Sequence, residues 1–285
     1  MAIIPSSFMN AVLAIGASND GVSKKWIGSG FIVSRKDEQD PNELTYYIVT
    51  NKHVVNGCNN IYVRFNTKDE QFLRDYRINL LDENNCRLYS EHPNESTDVI
   101  AMRFFPQKLI DDKSIWDAFN LQTNALSLKE MQNTGVTEGC FVYALGFPMN
   151  LVETIKSPIC RLGCISRIQD AFVRETENPT FLVDAQAYPG NSGGPVISRP
   201  EIISIEGTSS NESANLIGIL SDCITYRNVM ISKQTGREMM VQEENSGLTI
   251  VHPVERIREA VEIEFARTQE FVEKASTTSE NTNEE

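Results

Sequence analysis

Between Trp26 and Val251 the apolar residues come in short bursts separated by Gly, Pro, Asn and Asp. The bursts are WIGSGFIVS, YYIVTNKHVV, NIYVRFN, VIAMRFF, CFVYALGF, TFLVDAQ, PVIS, LIGILSDCITY, NVMIS and LTIVH. Each is rich in β-branched or aromatic residues and bounded by turn formers, so each reads as a strand. Helical periodicity is rare across this span, which predicts antiparallel barrels or sandwiches and argues against a parallel sheet. The stretch from Pro106 to Thr134 breaks the rhythm with SIWDAFN and LSLKEMQ and reads as a connection between two β lobes, with room for a short helix. Within YRNVMISKQTGREMMVQEENSG, the KQTG segment turns a surface hairpin over residues 225–246, placed to lid or narrow a nearby cleft. After Pro253 the period changes. Val254, Ile257, Val261, Phe265, Thr268 and Val272 recur at three- and four-residue steps, one face of an amphipathic helix that packs back on the β body. The last residues, ASTTSENTNEE, carry no apolar anchor and read as a disordered tail.

Composition narrows this picture. A chain of 285 residues, 40% of them hydrophobic, can bury one large β-rich domain or two lobes with a core each. Its 39 acidic against 26 basic residues leave a net charge of −13, which repels phosphate backbones and anionic lipid. Nucleic acid and membrane surfaces are therefore not expected partners. The N-terminal run MAIIPSSFMNAVLAIGASND invites a signal-peptide reading, but it lacks a basic start, and Pro5, Ser6, Ser7 and Asn10 interrupt it. Cys58, Cys86, Cys140, Cys160, Cys164 and Cys223 are irregularly spaced without a C-x-x-C pair, which favours free thiols in a reducing compartment. These two features together predict a cytoplasmic protein. The three histidines stand far apart, so neither a zinc site nor another cofactor is expected. His92 reads as a solvated loop residue and His252 as a structural residue at a strand-to-helix corner.

Chemistry concentrates in DAQAYPGNSGGPV, where Gly190, Ser192 and Gly194 form G-x-S-x-G. Acyl transfer by serine needs a base, an acid that orients the base, and N–H groups that receive an oxyanion. One solution runs His53, Asp98, Ser192, with the first two in the N-terminal half and the serine across the connection. A site between two lobes brings them together. The rival order Ser192, Asp222, His252 belongs to folds in which a helix follows the serine at once. Here GGPVISRP follows, with strand character and then Pro200, so the rival is rejected. Gly190 and Ser192 are then the candidate oxyanion donors, since a glycine N–H can approach a reacting carbonyl with no Cβ in the way.

Read in order, GSGFIVS, TNKHVV, DVIAMRF, VYALGFP, DAQAYPGNSGGPV and LIGILSD resemble the trypsin-like serine proteases over roughly residues 25–255. Within them the closest likeness is to the bacterial HtrA (Do-like) group, which shares G-N-S-G-G-P and the T-N-x-H-V-V surroundings. The resemblance implies an all-β fold of two Greek-key antiparallel β-barrels, to which the periodicity adds a C-terminal α-helix. The expected division is a barrel over 1–110 carrying His53 and Asp98, a connection over 111–134, and a barrel over 135–253 carrying Ser192. A helix over 254–273 and a disordered tail over 274–285 complete it.

Carried over by position, the resemblance makes His53 the general base, Asp98 its orienting acid and Ser192 the nucleophile. Ser221 falls in the strand that pairs with the substrate backbone, and its hydroxyl supports the acid. Gln186 falls at the floor of the primary specificity pocket and Gly247 at its wall. An amide floor carries no charge, so strong Lys/Arg selectivity is not expected. Asp222 is either a subsite charge or an exposed loop carboxylate. Asn191 stands where digestive relatives have an aspartate that pairs with a freshly cut N-terminus, so cleavage activation is not expected. Nor is a PDZ domain. The expected function is that of a serine endopeptidase acting on protein or peptide substrates. The alternative is a protease-fold binding or chaperone module whose latent activity waits for an activating partner or self-association.

Overall fold

The computed structural model describes residues 4–18, 24–36, 43–67, 73–153, 157–173, 178–201 and 210–281. The N-terminal lobe is a nine-stranded sheet built from β1 (Val12–Ala17), β2 (Lys25–Lys36), β3 (Leu44–Thr50), β4 (Asn60–Thr67), β5 (Leu73–Asn79), β6 (Ser90–Glu91), β7 (Ile100–Phe104), β8 (Ser114–Ile115) and β9 (Phe119–Asn120). The main path runs β5-β4-β1-β2-β3-β7-β6, with β8 beside β4 and β9 beside β2. In β4 every second residue is buried, the period of a strand with one face in a core. Its Ile61, Val63 and Phe65 join Leu13, Ile15, Ile32, Ile48 and Ile100 in the core of this lobe.

The C-terminal lobe is a closed barrel of six strands: β10 (Phe141–Gly146), β11 (Ile159–Arg167), β12 (Phe181–Asp184), β13 (Pro195–Ser198), β14 (Leu216–Ile231) and β15 (Glu238–Pro253). Their order is β10-β11-β12-β15-β14-β13, and all pairs are antiparallel. Val142, Ile165, Phe181, Val183, Val196, Ile217 and Val251 fill it. A third cluster lies where the parts meet. Phe31, Val33 and Phe119 of the first lobe join Leu145, Ile197 and Ile219 of the second and Val254, Ile257 and Val261 of the C-terminal helix. The mainly β fold with a C-terminal helix is thus as the sequence predicts, and the helix packs on the body through the residues its period singles out.

Several strands escape the pattern. β1 is buried at nearly every position, in the middle of the sheet, and belongs to the N-terminal apolar run. β5 and β11 are half exposed and carry Arg, Asp and Ser among their apolar residues, so no apolar burst marks them. NVMIS is no separate strand; it extends LIGILSDCITY as the outer part of β14, and the hairpin turns at Ser232–Arg237 with Gly236 at φ +67°. The expected connection over 111–134 already contains β8 and β9 of the first sheet. After β9 comes a short helix, Leu128–Asn133, started by a reciprocal Ser127–Glu130 capping box. The C-terminal helix runs Val254–Asn281, past the expected end at 273 and through most of the expected disordered tail. Once a helix is nucleated each added residue gains a hydrogen bond, and Glu273, Lys274 and Ala275 are good helix formers. Among the described residues no helix is long and apolar enough to cross a membrane.

Candidate active site

Strands β3 and β7 pair from Tyr46↔Phe104 to Thr50↔Ile100, so the chain leaving β3 and the chain entering β7 lie side by side. That register brings His53, on the single helical turn Lys52–Val55, against Asp98. His53 Nδ1 lies 2.5 Å from Asp98 Oδ2, and its backbone N–H donates to Asp98 Oδ1 at 3.1 Å. Ser221 Oγ donates to Asp98 Oδ2 at 3.0 Å, and Asn51 Nδ2 donates to the Asp98 carbonyl at 2.6 Å. The Asp98 N–H donates to His252 Nε2 at 3.2 Å. Every polar atom of Asp98 is therefore held.

Burial pushes the Asp98 carboxyl up, but the hydrogen bonds from His53 and Ser221 and the charge of His53 outweigh it and leave it below its ordinary value. His53 is raised above 6.5, first by its hydrogen bond to Asp98, against burial, and then by the charges of Asp98 and Asp222. Its side chain is 50% exposed, so the ring is open to a reactant.

The loop Tyr188–Gly194 is shaped by contacts that only glycine permits. Gly190 has φ +101°, and a Cβ there would lie 2.5 Å from the Phe147 carbonyl oxygen. Gly193 has φ +83°, and its Cβ would meet the Ser29 carbonyl oxygen at 2.1 Å. The amides of the loop divide into two sets. Asn191 donates to Tyr188, Gly193 to Leu220 and Gly194 to Asn191, all through backbone carbonyls at 2.9–3.0 Å. The N–H groups of Gly190 and Ser192 have no acceptor among the described residues. The carbonyl of Pro189 accepts from Met149 N–H at 2.7 Å, and that of Gly190 accepts from Ser29 Oγ at 2.6 Å. Two neighbouring donors are thus left free while the carbonyls beside them are occupied elsewhere, the arrangement an oxyanion needs.

Ser29 ties the lobes together. Fully buried in β2, its hydroxyl also accepts from Phe147 N–H at 2.9 Å, and its own N–H donates to the Ser192 carbonyl at 2.8 Å. Thr50 Oγ1 in turn donates to the Ser29 carbonyl at 2.7 Å. Asn191 is buried, its amide oxygen 3.0 Å from where a Cβ on Gly146 would stand. No hydrogen bond joins the Ser192 hydroxyl to His53 among the described residues. Ser192 nevertheless lies next to that segment, because a Cβ on Gly28 would meet Val54 at 2.6 Å and the Ser192 carbonyl at 3.3 Å.

Gln186 and Gly247 come together: a Cβ on Gly247 would stand 4.0 Å from Gln186 Cγ. Gln186 is exposed to solvent. Asp222 is exposed, and its charge reaches His53. His92 is not solvated. It is buried, with Nε2 2.6 Å from Glu259 Oε2 and Nδ1 accepting from Asn94 N–H, because the C-terminal helix docks over it. His252 is buried beside Asp98, and burial lowers it to about 4. Sequence reasoning does not mark Ser29, Asn51, Thr50 or His252 as site residues; the only local signal is Ser29 between two glycines inside an apolar strand. All six cysteines are free.

Residues 28–201 match the family model of the trypsin-like peptidase domain, which is more than half the chain. A relative from Halomonas elongata, named "Probable periplasmic serine endoprotease DegP-like", is 28% identical over 205 residues, 72% of this chain and 34% of that protein. A relative of the same name from Pseudomonas savastanoi pv. phaseolicola is 25% identical over 194 residues, 68% of this chain and 31% of that protein. The chain spans about a third of the length of these curated relatives. The protease domain of MamO from Magnetospirillum magneticum, in its apo form, aligns with a TM-score of 0.49 at 16% identity, covering 88% of this chain and 95% of that one. The cytoplasmic expectation is overturned: these relatives are named periplasmic, which points away from the cytoplasm. Unpaired cysteines and an interrupted N-terminal run are too weak a basis for it.

Proposed function

The chain belongs to the trypsin-like peptidase domain family, and from that premise we propose that it is a serine endopeptidase cutting protein or peptide substrates through an acyl-enzyme. Ser192 Oγ attacks the scissile carbonyl while His53 takes its proton. Asp98 holds the imidazole by Nδ1, leaving Nε2 toward the serine, and stabilises the imidazolium that forms. The N–H groups of Gly190 and Ser192 receive the negative charge on the carbonyl oxygen. His53 then gives its proton to the leaving amine, and the C–N bond breaks. Water, activated by His53, attacks the ester, and the proton returns to Ser192 as the acid leaves. Ser221, bonded to Asp98, lies within β14, the strand along which the substrate backbone would lie.

The observation that carries this reading is the pair of free amides at Gly190 and Ser192, beside the bonded amides of Asn191, Gly193 and Gly194. The loop is anchored by neutral groups, Ser29, Met149 N–H and the Asn191 N–H, which supports an enzyme that needs no cleavage to activate it. A fluorophosphonate probe tests it directly. Wild type is expected to label covalently and Ser192→Ala not to label; a wild type that stays unlabelled sinks the reading. A second reading, a binding module with latent activity, draws on the missing Ser192–His53 hydrogen bond. Apo geometry of this kind often tightens only when substrate binds. Labelling that appears only after cell extract is added favours the latent form.

A further inference from the structure

The chain between β6 and β7 carries Asp98 and has little strand pairing to hold it. His92 N–H donates to the Val99 carbonyl at 3.0 Å, and inside that bond the loop is a local turn. Thr97 N–H donates to the Asn94 carbonyl at 3.0 Å, while Ser96 N–H and Ser96 Oγ donate to Asn94 Oδ1 at 3.0 and 2.6 Å. A loop without a ladder takes its position from whatever grips it from outside. Lys52 of the first lobe grips the start, donating to the His92 and Asn94 carbonyls at 2.9 and 3.2 Å.

The end beside Asp98 is gripped by the second lobe. Asn178, between the helical turn Gln169–Val173 and β12, turns its whole carboxamide to the two residues before the acid. Its Oδ1 accepts from Thr97 Oγ1 at 2.8 Å, and its Nδ2 donates to the Ser96 carbonyl and to Ser96 Oγ, both at 2.9 Å. Thr97 is fully buried, so its hydroxyl needs that acceptor. Pro179 follows Asn178 and disfavours helical backbone there, which narrows the directions its side chain can take. Asn178, Pro179 and Thr180 also line a cavity of about 320 Å³ with Ile168, Leu182 and Ile224. With open space beside the segment, the three hydrogen bonds carry the contact more than close packing does.

We propose that Asn178 is a positioning residue for catalysis: through Ser96 and Thr97 it fixes the chain on which Asp98 stands, and so the imidazole that Asp98 orients. This deepens the endopeptidase reading and rests on it. Ser221 holds the carboxylate of Asp98 and His252 its N–H; Asn178 holds the two residues that lead into it. Asn178 makes no hydrogen bond to His53 or Ser192 among the described residues, so its effect passes through the 2.5 Å contact between Asp98 Oδ2 and His53 Nδ1. Misplacing a catalytic group by about 1 Å costs up to about 100-fold in rate. Disabling the orienting acid of a triad outright costs about 10⁴-fold, which bounds the effect from above.

The test measures the second-order rate of fluorophosphonate labelling from pH 5 to pH 9 for wild type, Asn178→Ala, Thr97→Val and the double variant. This probe reports on Ser192 and His53 whatever the natural substrate is. Asn178→Ala is expected to label about tenfold to 100-fold more slowly than wild type. Its pH midpoint is expected to fall toward 6.5, because the hydrogen bond to Asp98 is the first cause that raises His53; the charge of Asp222 stops it from falling the whole way. Thr97→Val removes one of the same bonds from its other end and should move rate and midpoint in the same direction by a smaller step. The double variant should label no more slowly than Asn178→Ala, since one clamp is removed twice. Urea unfolding at pH 7.5 checks that each variant is folded where it is labelled, and if Asn178→Ala is not, Thr97→Val carries the test. A wild-type rate, a slower rate at an unchanged midpoint, or losses that add in the double variant overturn the proposal. A wild type that takes no label overturns the endopeptidase reading instead.

Discussion

His252 makes the acid sensitivity of the fold predictable. Its Nε2 accepts the Asp98 N–H at 3.2 Å, so the neutral imidazole carries its proton on Nδ1, a buried atom with no partner among the described residues. Burial is the main cause that lowers it to about 4; the charge of Asp98 opposes this, and His92, Arg256 and Lys52 add to it. In the unfolded chain the same group titrates near 6.5. Between those two values the unfolded state binds a proton that the folded state refuses, so stability is lost as pH falls and nothing is lost above pH 7. Linkage puts the loss from this one group at about 2 kcal/mol at pH 5 and about 3 kcal/mol at pH 4. His252→Gln offers a carbonyl to the Asp98 N–H and does not titrate. Urea unfolding of both proteins at pH 7.5 and pH 5.0, extrapolated to water, isolates the effect because every other titrating group is shared. Wild type is expected to lose about 2 kcal/mol more than the variant. Parallel losses in the two proteins would refute the assignment of His252 as a neutral acceptor.

Three further outcomes are expected from the same geometry. kcat/KM should rise with pH through a midpoint above 6.5, since Asp98 holds His53 in its charged form; Asp222→Asn should move that midpoint down, and a midpoint that stays put removes Asp222 from the field of the site. Ser29→Ala leaves the Phe147 N–H and the Gly190 carbonyl without their buried partner, about 1–3 kcal/mol each, so fluorophosphonate labelling should slow by about tenfold or more. Labelling at the wild-type rate would mean that the loop holds itself. Ile257→Ala, in a helix position with no exposure, should cost about 2–5 kcal/mol in urea unfolding, and a loss below about 1 kcal/mol would mean that the helix is not part of the common core.

The features legible in the sequence are those written locally. β4 alternates, so its strand and inward face are visible; the C-terminal helix repeats every three or four residues, so its docking face is visible. Ser192 stands among glycines whose only sensible use is a shaped loop. The hidden features depend on partners distant in the chain. His92 looks solvated until Glu259, 167 residues later, covers it. Glu264 looks like a surface residue of the helix, yet it is fully buried, accepting from Ser90 Oγ, the Arg103 N–H and Arg267. His252 looks like a corner residue, and its partner is the backbone of Asp98.

The two lobes hold each other's chemistry. Asp98 belongs to the first lobe, yet its carboxylate is steadied by Ser221 and its N–H by His252, both from the second. The Ser192 loop belongs to the second, yet Ser29 of the first holds the Gly190 carbonyl and donates to the carbonyl of Ser192 itself. Gly193 permits this approach, since any Cβ there would strike the Ser29 backbone. Neither half of the site is therefore complete in a lobe that has come apart from its neighbour. The cluster joining Leu145, Ile197 and Ile219 to Phe31, Phe119 and Ile257 is then more than general packing. It packs the two lobes and the C-terminal helix against one another, and so holds Asp98, His53 and the Ser192 loop in one place.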